Sequence, residues 1–366
     1  MKKVLILSNS ISGLHNFRKE VIKSICDSGY EVYISVPNED EREKYFESIG
    51  CTIIRTIFNR RGTSPLADLK LMWQYRGLIK RVKPIAVLTY TIKPNIYGGM
   101  ACRITHTPQL ANITGLGDAV ENGGWLQKLT LNLYKFGLSK AQKVFFQNTT
   151  NKNFFIKHHI AGEDSILLPG SGVNLNHHTY QQYPADEGKI RFLFIGRMLK
   201  DKGIEEFFEA AKAVKEKYPA SEFQLLGPVE GPYQDQLDNL IKCGVINHLG
   251  KTTDVRPYIG AVECTIMPSY HEGMSNVNLE SSANGRPVIT TDVAGCRETI
   301  DDGITGYLVE AKNANSLQNA IERFIALPYS QKEMMGRNAR LKVEKEFDRQ
   351  IVVDSYLNEI QSITNV

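Results

Sequence analysis

The sequence predicts an α/β protein of two doubly wound domains in series, and three observations predict it. Short apolar runs alternate with amphipathic stretches along the chain, the pattern of parallel strands covered by helices on both faces. The series restarts after a polar stretch at 170–184. A length of 366 residues suits two domains of ordinary size, each able to bury its own core.

In the first half, strands are expected at 4–7, 31–36, 52–57, 86–89, 109–113, 143–147 and 166–168. These runs are short and mostly continuous in apolar residues, as strands buried on both faces require. Between them, 15–27, 66–82, 95–104, 125–139 and 150–159 carry apolar residues at helical spacing, and Pro94-Asn95 is a natural helix start. In the second half, strands are expected at 191–195, 223–226, 264–267 and 287–291, with helices at 203–217, 230–242, 275–285 and 315–326. The tail 347–363 sets Ile351, Val352, Tyr356, Leu357 and Ile360 on one amphipathic helix. No repeat of 20–50 residues and no low-complexity tract interrupts this order.

Composition narrows the class. With 42% hydrophobic and 23% charged residues, disordered, collagenous and fibrous chains are excluded. No apolar run approaches the roughly 18 residues that span a bilayer. The opening run 4–7 ends in Ser8-Asn9-Ser10, too short for a secretion signal, so it reads as a buried first strand. Six cysteines lie far apart without a CxxC pair, which suggests neither a zinc cluster nor a disulfide framework and fits a reducing cytoplasm. The pairs His158-His159 and His177-His178 are poor metal ligands, because adjacent side chains diverge on a helix or strand.

The net charge of +4 hides a division. Residues 1–170 hold 23 basic and 13 acidic side chains, whereas 171–366 hold 21 and 27. Residues 51–150 alone carry 14 basic and 3 acidic ones. A basic half suggests nucleic acid, yet no RNP, helix-turn-helix or zinc-finger pattern is present, so no nucleic-acid partner is expected. Stretch 66–82 instead mixes Lys70, Arg76, Lys80 and Arg81 with Leu69, Leu71, Met72, Trp73, Leu78 and Ile79, and Arg60-Arg61 precede it. Stretch 125–143 mixes Lys128, Lys135, Lys140 and Lys143 with Trp125, Leu126, Leu129, Leu133 and Phe136. Such helices can lie on an anionic membrane, although most of these apolar side chains are expected to face the core.

In open α/β sheets, ligands bind beyond the carboxyl ends of the strands. One such loop, 196–203 (GRMLKDKG), follows a buried strand with Gly196, then offers Arg197 as a planar fork and Lys202 as a point charge. By itself it reads more readily as a solvated turn with surface cations. A second loop, 267–277 (MPSYHEGMSNV), adds helix-start amides at Ser275, Asn276 and Val277 that suit a diphosphate. Glu272 precedes that helix and Glu280 lies inside it. Carboxylates are acceptor-only and suit vicinal hydroxyls, although a helix cap and a solvated Glu are the plainer alternatives. Against the second, Glu280 sits between Leu279 and Ser281-Ser282-Ala283, a stretch suited to burial, and a buried carboxylate needs a partner.

The first half has three strand-exit loops of the same kind. In 8–18, Gly13 allows close backbone approach and Arg18 suits a phosphate. His15, beside Asn16, is either a catalytic group or a polar helix-entry residue. Lys93 and Asn95 leave the fourth strand, and Thr114 and Gly115 leave the fifth, followed by Leu116-Gly117-Asp118.

The segments GRMLKDKG, PSYHEGMSNVNLE and GRPVITTDVAG resemble the signature of retaining nucleotide-sugar glycosyltransferases of the GT-B fold, family GT4, strongly over about 190–310. The resemblance implies two Rossmann-like domains facing a central cleft. It implies an N-terminal acceptor domain at 1–172, completed by a last helix at 347–366 that crosses back, and a donor domain at 173–346. It also implies site roles. Arg197 and Lys202 neutralise the donor diphosphate, and Glu280 binds the ribose. Glu272 holds hydroxyls of the transferred sugar, and the amides after Gly273, from Met274 onward, hold the distal phosphate. The loop at Leu249-Gly250 holds the base. Many members carry a His after the fifth strand, where this chain has Thr114. The segments HNFR, IKPN and GLG resemble a subgroup acting on polyprenyl-diphosphate-linked sugars, which includes N-acetylgalactosaminyl, capsule and O-antigen transferases.

The expected reaction moves an N-acetylhexosamine or hexose from a UDP-sugar to a polyprenyl-diphosphate-linked saccharide, with retention. Negative charge developing on the leaving diphosphate must be stabilised. The sequence has no Asp-x-Asp and no metal-ligand spacing, so cations and a helix N-terminus are expected to do this without metal or cofactor. The expected place is the inner face of the bacterial cytoplasmic membrane. The alternatives on the same fold are a UDP-sugar 2-epimerase and a non-catalytic donor-binding subunit.

Overall fold

A computed structural model describes residues 1–59, 62, 64–115 and 124–364. Arg60, Arg61, Leu116, Gly117 and Asp118 lie outside the described residues. The chain divides into two units, one of residues 1–171 with 350–366, the other of residues 172–349.

The first unit holds seven strands: β1 (Lys3–Leu7), β2 (Glu31–Val36), β3 (Thr52–Arg55), β4 (Ala86–Tyr90), β5 (Gln109–Ile113), β6 (Lys143–Phe146) and β7 (Ile166–Leu167). They form one parallel sheet in the order β3-β2-β1-β4-β5-β6-β7. Val4 stands opposite Val32 on one side and Ala86 on the other, so the apolar runs seen in sequence are buried side by side. The order reverses between β1 and β4, which opens a crevice at their carboxyl ends. The last helix, Arg349–Thr364, contributes Val352, Val353, Tyr356 and Ile360 to the same core as Val4, Ile6, Ile34 and Leu88.

The second unit repeats the plan with β8 (Ile190–Ile195), β9 (Ser221–Leu226), β10 (Ile246–His248), β11 (Cys264–Met267), β12 (Val288–Thr291) and β13 (Gly306–Val309). Their order is β10-β9-β8-β11-β12-β13, again all parallel, with the reversal between β8 and β11. Its core joins Phe192, Phe194, Phe207, Phe208, Phe223 and Phe324.

Several elements differ from expectation. The first helix begins at Ile11 because Ser10 caps it, its Oγ accepting from the Gly13 amide at 3.1 Å. Strand β10 is too short, at three residues, to show a pattern, and β13 is an edge strand the sequence does not announce. The helix Tyr329–Glu346 is long, but its buried side is Lys332, Met335, Gly336, Ala339 and Val343, too small and polar to read as an apolar stripe. Phe347 belongs with the second unit. Its carbonyl accepts from the Val173 amide at 2.9 Å, and its ring packs with Val173, Met274 and Leu279.

Candidate active site

Two loops of the second unit leave β8 and β11, the two strands that flank the reversal in its sheet. Gly203 takes φ 71°, and a Cβ there would lie 2.0 Å from the Pro268 carbonyl oxygen. Only glycine allows the two loops to touch. That contact carries Lys202 to Glu272: Lys202 Nζ donates to Glu272 Oε1 at 2.7 Å, and Ser269 Oγ donates to the same oxygen at 2.9 Å. Tyr270 fastens the loop from the other side. Its amide donates to the Asp201 carbonyl at 2.8 Å and its hydroxyl to Glu206 Oε1 at 2.7 Å. Burial and the Glu206 hydrogen bond raise the Tyr270 phenol, so it stays a donor at neutral pH.

The helix Asn276–Ala283 starts against this loop. Ser275 caps it, its Oγ accepting from the Asn278 amide at 3.3 Å. The Ser275 amide, expected to face a diphosphate, donates instead to the Gly295 carbonyl at 2.7 Å. The loop after β12 passes so close to Glu272 that this amide meets it first. The Asn276 and Val277 amides follow, in the first turn, where no earlier carbonyl of the helix can accept from them. The Met274 side chain is core, packed with Leu279, Ala283 and Val343, so only its backbone faces the loop.

Glu280 lies one turn further on, half-buried. Burial pushes its carboxyl up to about 7, with Arg349 pulling the other way. His178 Nε2 stands 4.0 Å from Glu280 Oε1. Burial drives His178 down to about 4, so the imidazole is neutral near pH 7 and the two groups form no ion pair. Leu249 and Val277 pack against one cluster of Leu193, Ile195, Leu226, Ile259 and Val262. Gly250 accepts from the Gly227 amide at 2.7 Å, which anchors this loop on the edge of the sheet where Gly196 stands. Arg197 is exposed and pairs with Glu230 at 3.3 Å, an arrangement of small energetic weight.

In the first unit, the exits of β1, β4 and β5 enclose a cavity of about 270 Å³, lined by Asn9, Thr91, Ile92, Lys93, Asn95, Thr114, Gly115 and Tyr134. Lys93, Asn95, Thr114 and Gly115 are thus brought together. Two of them are committed to protein partners. Lys93 Nζ donates to Asp68 Oδ1 at 2.6 Å, and Tyr97 donates to the other oxygen of Asp68 at 2.9 Å. Asn95 accepts from Thr89 Oγ1 at 2.7 Å and donates to the Asn112 carbonyl at 2.8 Å. Its side chain holds the cavity floor. Tyr356 extends that network by donating to Asn112 Oδ1.

The residues expected on the first loop lie elsewhere. Gly13 is inside the helix, its amide committed to Ser10. His15 packs edge-on against Tyr45 at 5.3 Å between ring centroids and faces Asn16 Oδ1 at 3.3 Å. Arg18 is only 3% exposed, donates to the Phe17 carbonyl and lies over the Tyr90 ring, so it is a core cation. Asn9, Thr91, Asp68 and Tyr134 were not singled out. Asn9 and Thr91 carry a usable signal, since each lies within two residues of the end of a strand.

The two basic stretches present mixed solvent faces. On the helix Gly124–Leu138, Trp125, Leu129 and Phe136 are exposed together with Lys128 and Lys135, while Thr130, Tyr134, Gly137 and Leu138 are buried. On Pro65–Val82, Leu66, Leu69 and Trp73 are exposed beside Lys70 and Lys80, and Arg76 lies over the Trp73 ring. Leu71, Met72, Leu78 and Ile79 are core, so the expectation that most apolar residues face inward holds for only part of them. Among the described residues, no helix is long and apolar enough to cross a membrane. No group of three His, Cys, Asp or Glu side chains comes together among them either.

Two doubly wound sheets, each with its loops gathered at the reversal of strand order, define the GT-B class of glycosyltransferases. The fold matches that of Anabaena Alr3699/HepE in complex with UDP, at a TM-score of 0.80 and 16% identity over 99% of this chain and 100% of that one. The family model for glycosyl transferases group 1 matches residues 178–342, and that for glycosyl transferase 4-like proteins matches 3–148. The chain is 26% identical to the N,N'-diacetylbacillosaminyl-diphospho-undecaprenol alpha-1,3-N-acetylgalactosaminyltransferase of Campylobacter jejuni, over 97% of each. It is also 26% identical to the capsular polysaccharide biosynthesis glycosyltransferase CapM of Staphylococcus aureus, over 94% of this chain and 92% of that one. The chain belongs to the GT4-like glycosyltransferases and is an enzyme of that family.

Proposed function

We propose that this protein transfers an N-acetylhexosamine or hexose from a UDP-sugar to a polyprenyl-diphosphate-linked saccharide during cell-surface polysaccharide assembly, with retention and without metal or cofactor. The observation that carries the reading is Lys202 held on Glu272 at 2.7 Å, beside a helix start and two to three turns of chain from a carboxyl raised to about 7. The Lys202 ammonium and the Asn276 and Val277 amides supply positive potential where charge develops on a leaving diphosphate. Arg197 adds to it from the rim. Both protein donors to Glu272 fall on Oε1, which leaves Oε2 to accept from a hydroxyl of the sugar. Glu280 accepts from the ribose hydroxyls, and the Leu249-Gly250 loop borders the base. The cavity of Thr91, Lys93, Thr114 and Gly115 receives the acceptor. The polyprenyl class of that acceptor rests on the name of the Campylobacter relative. A panel of UDP-sugars against polyprenyl-diphosphate acceptors, with linkage and anomeric configuration read by NMR, tests the reading. Hydrolysis alone, or transfer with inversion, overturns it.

A pH dependence follows. An ionised Glu280 accepts from two hydroxyls and a protonated one does so less well. Because its carboxyl titrates near 7, the KM for the donor is expected to rise as pH falls through neutrality. In Glu280→Gln the KM is expected to be high at every pH and its slope across this window lost. Steady-state kinetics from about pH 6 to about pH 8 check this.

The exposed Trp, Leu, Phe and Lys of the two helices support a reading in which the enzyme docks on the anionic inner leaflet of the cytoplasmic membrane. Replacing Lys128 and Lys135 by Gln is expected to weaken binding to phosphatidylglycerol vesicles about 30-fold, at about 1 kcal/mol per cation. Flotation measures this, and equal absence of binding to anionic and neutral vesicles sinks it.

A further inference from the structure

Cys26 and Cys51 come together although 25 positions separate them, with their sulfurs 3.6 Å apart. Cys26 lies in the last turn of the helix Ile11–Asp27, and Cys51 directly precedes the edge strand β3. Cys26 is half-buried and reachable, whereas Cys51 is buried behind it. The other four cysteines differ. Cys102, Cys264 and Cys296 are buried, and Cys243 is exposed. Burial raises the thiols of Cys102 and Cys264 and pushes that of Cys296 up to about 12, which leaves them without thiolate. The shared hydrogen bond acts oppositely on the two members of the pair, lowering Cys26 and raising Cys51. Thiolate character therefore gathers on the sulfur that an oxidant can reach, and a second sulfur waits in contact with it.

We propose that Cys26 and Cys51 form a reversible thiol–disulfide site that responds to peroxide. The Cys26 thiolate attacks the O–O bond of hydrogen peroxide, forming a sulfenic acid and, after proton transfer, one water. The Cys51 sulfur then displaces the hydroxyl from the Cys26 sulfur as a second water, and the S–S bond forms. Two thiols are oxidised by two electrons and one peroxide is reduced to two waters. The contact must shorten from 3.6 Å to the roughly 2.05 Å of a disulfide, a movement within reach of rotation about the two side chains. The bond ties the end of the first helix to the edge strand. In a reducing compartment such bonds are transient and redox-sensing rather than structural.

The test is peptide mapping of the full-length native protein after hydrogen peroxide, with alkylation before digestion. Expected is an intramolecular Cys26–Cys51 cross-link that dithiothreitol reverses, with Cys102, Cys264 and Cys296 still alkylated only after unfolding. The oxidised protein is expected to show a higher Tm than the reduced one. In Cys51→Ser, Cys26 is expected to accumulate as a sulfenic acid trapped by dimedone and then as sulfinic acid. Sulfinic acid at Cys26 in the wild type with Cys51 still a free thiol overturns the proposal. Cross-links formed only between molecules through Cys243 overturn it equally. Because the first readout uses the wild type, it does not depend on how any variant folds.

Discussion

Glu272→Ala is expected to keep the wild-type fold and to lose about 10²- to 10³-fold in kcat, the range found when one transition-state contact is removed. The carboxylate is the meeting point of the two loops, taking Lys202 and Ser269 on one oxygen. Removing it frees Lys202 from its partner and takes away the acceptor proposed for the sugar hydroxyls. The loop itself is held by other bonds. The Tyr270 amide and hydroxyl still reach Asp201 and Glu206, and the Ser275 amide still reaches Gly295. The expected pattern is therefore a large fall in kcat with a small change in Tm. Glu272→Gln is expected to recover only part of the rate, because an amide cannot hold the Lys202 ammonium as an ion pair. Steady-state kinetics beside thermal unfolding separate the two effects. An unchanged kcat would remove Glu272 from the site.

Arg286→Ala is expected to do the reverse, destabilising the second unit by about 3–5 kcal/mol, the scale for taking the donor from several buried carbonyls at about 1–3 kcal/mol each. Arg286 is fully buried. Its Nη1 donates to the carbonyls of Gln181, Asn284 and Gly285, and its Nη2 to those of Gln182 and Gly260. The guanidinium also lies over the Tyr183 ring, 5.4 Å from its centroid. One side chain thus ties the segment before β8 to the turn after Ala283 and to the end of the short helix Arg256–Gly260. Alanine leaves the carbonyls without their donor inside a cavity, and each unmet group costs free energy of its own. Tm is expected to drop by about 10 °C, and Arg286→Lys to recover little because an ammonium lacks the planar fork. Calorimetry checks the size. A drop within a degree or two of zero would show that the carbonyls find water instead.

Much of the second unit's candidate site was legible because its residues are local in sequence. Gly196, Lys202, Glu272 and Glu280 lie on two short segments, each a strand exit followed by a helix, and a period change from strand to helix is visible in one dimension. The first unit's cavity was less legible because its decisive contacts join distant residues. Nothing near Lys93 announces Asp68, which lies 25 positions earlier on another helix. Arg18 looks like a phosphate ligand in the string HNFR, yet the pitch of its helix turns it into the core over Tyr90. The Ser275 amide was misread for the same reason, since the carbonyl that accepts from it belongs to Gly295, beyond the next strand.

The sequence by itself determined the class of fold, the family and the short segments that form the second unit's candidate site. Those properties follow from periodicity and from residue types at fixed spacing, which local backbone geometry converts directly into strands, turns and helix starts. Only the tertiary structure decided which cations are spent on carboxylates, which amides are left at a helix start and which carboxyl is pushed towards neutrality. It also decided that Trp125, Leu129 and Phe136 face solvent beside lysines. Each of those outcomes depends on desolvation and on partners brought together by chain reversal, and neither is a property of a residue's neighbours along the chain.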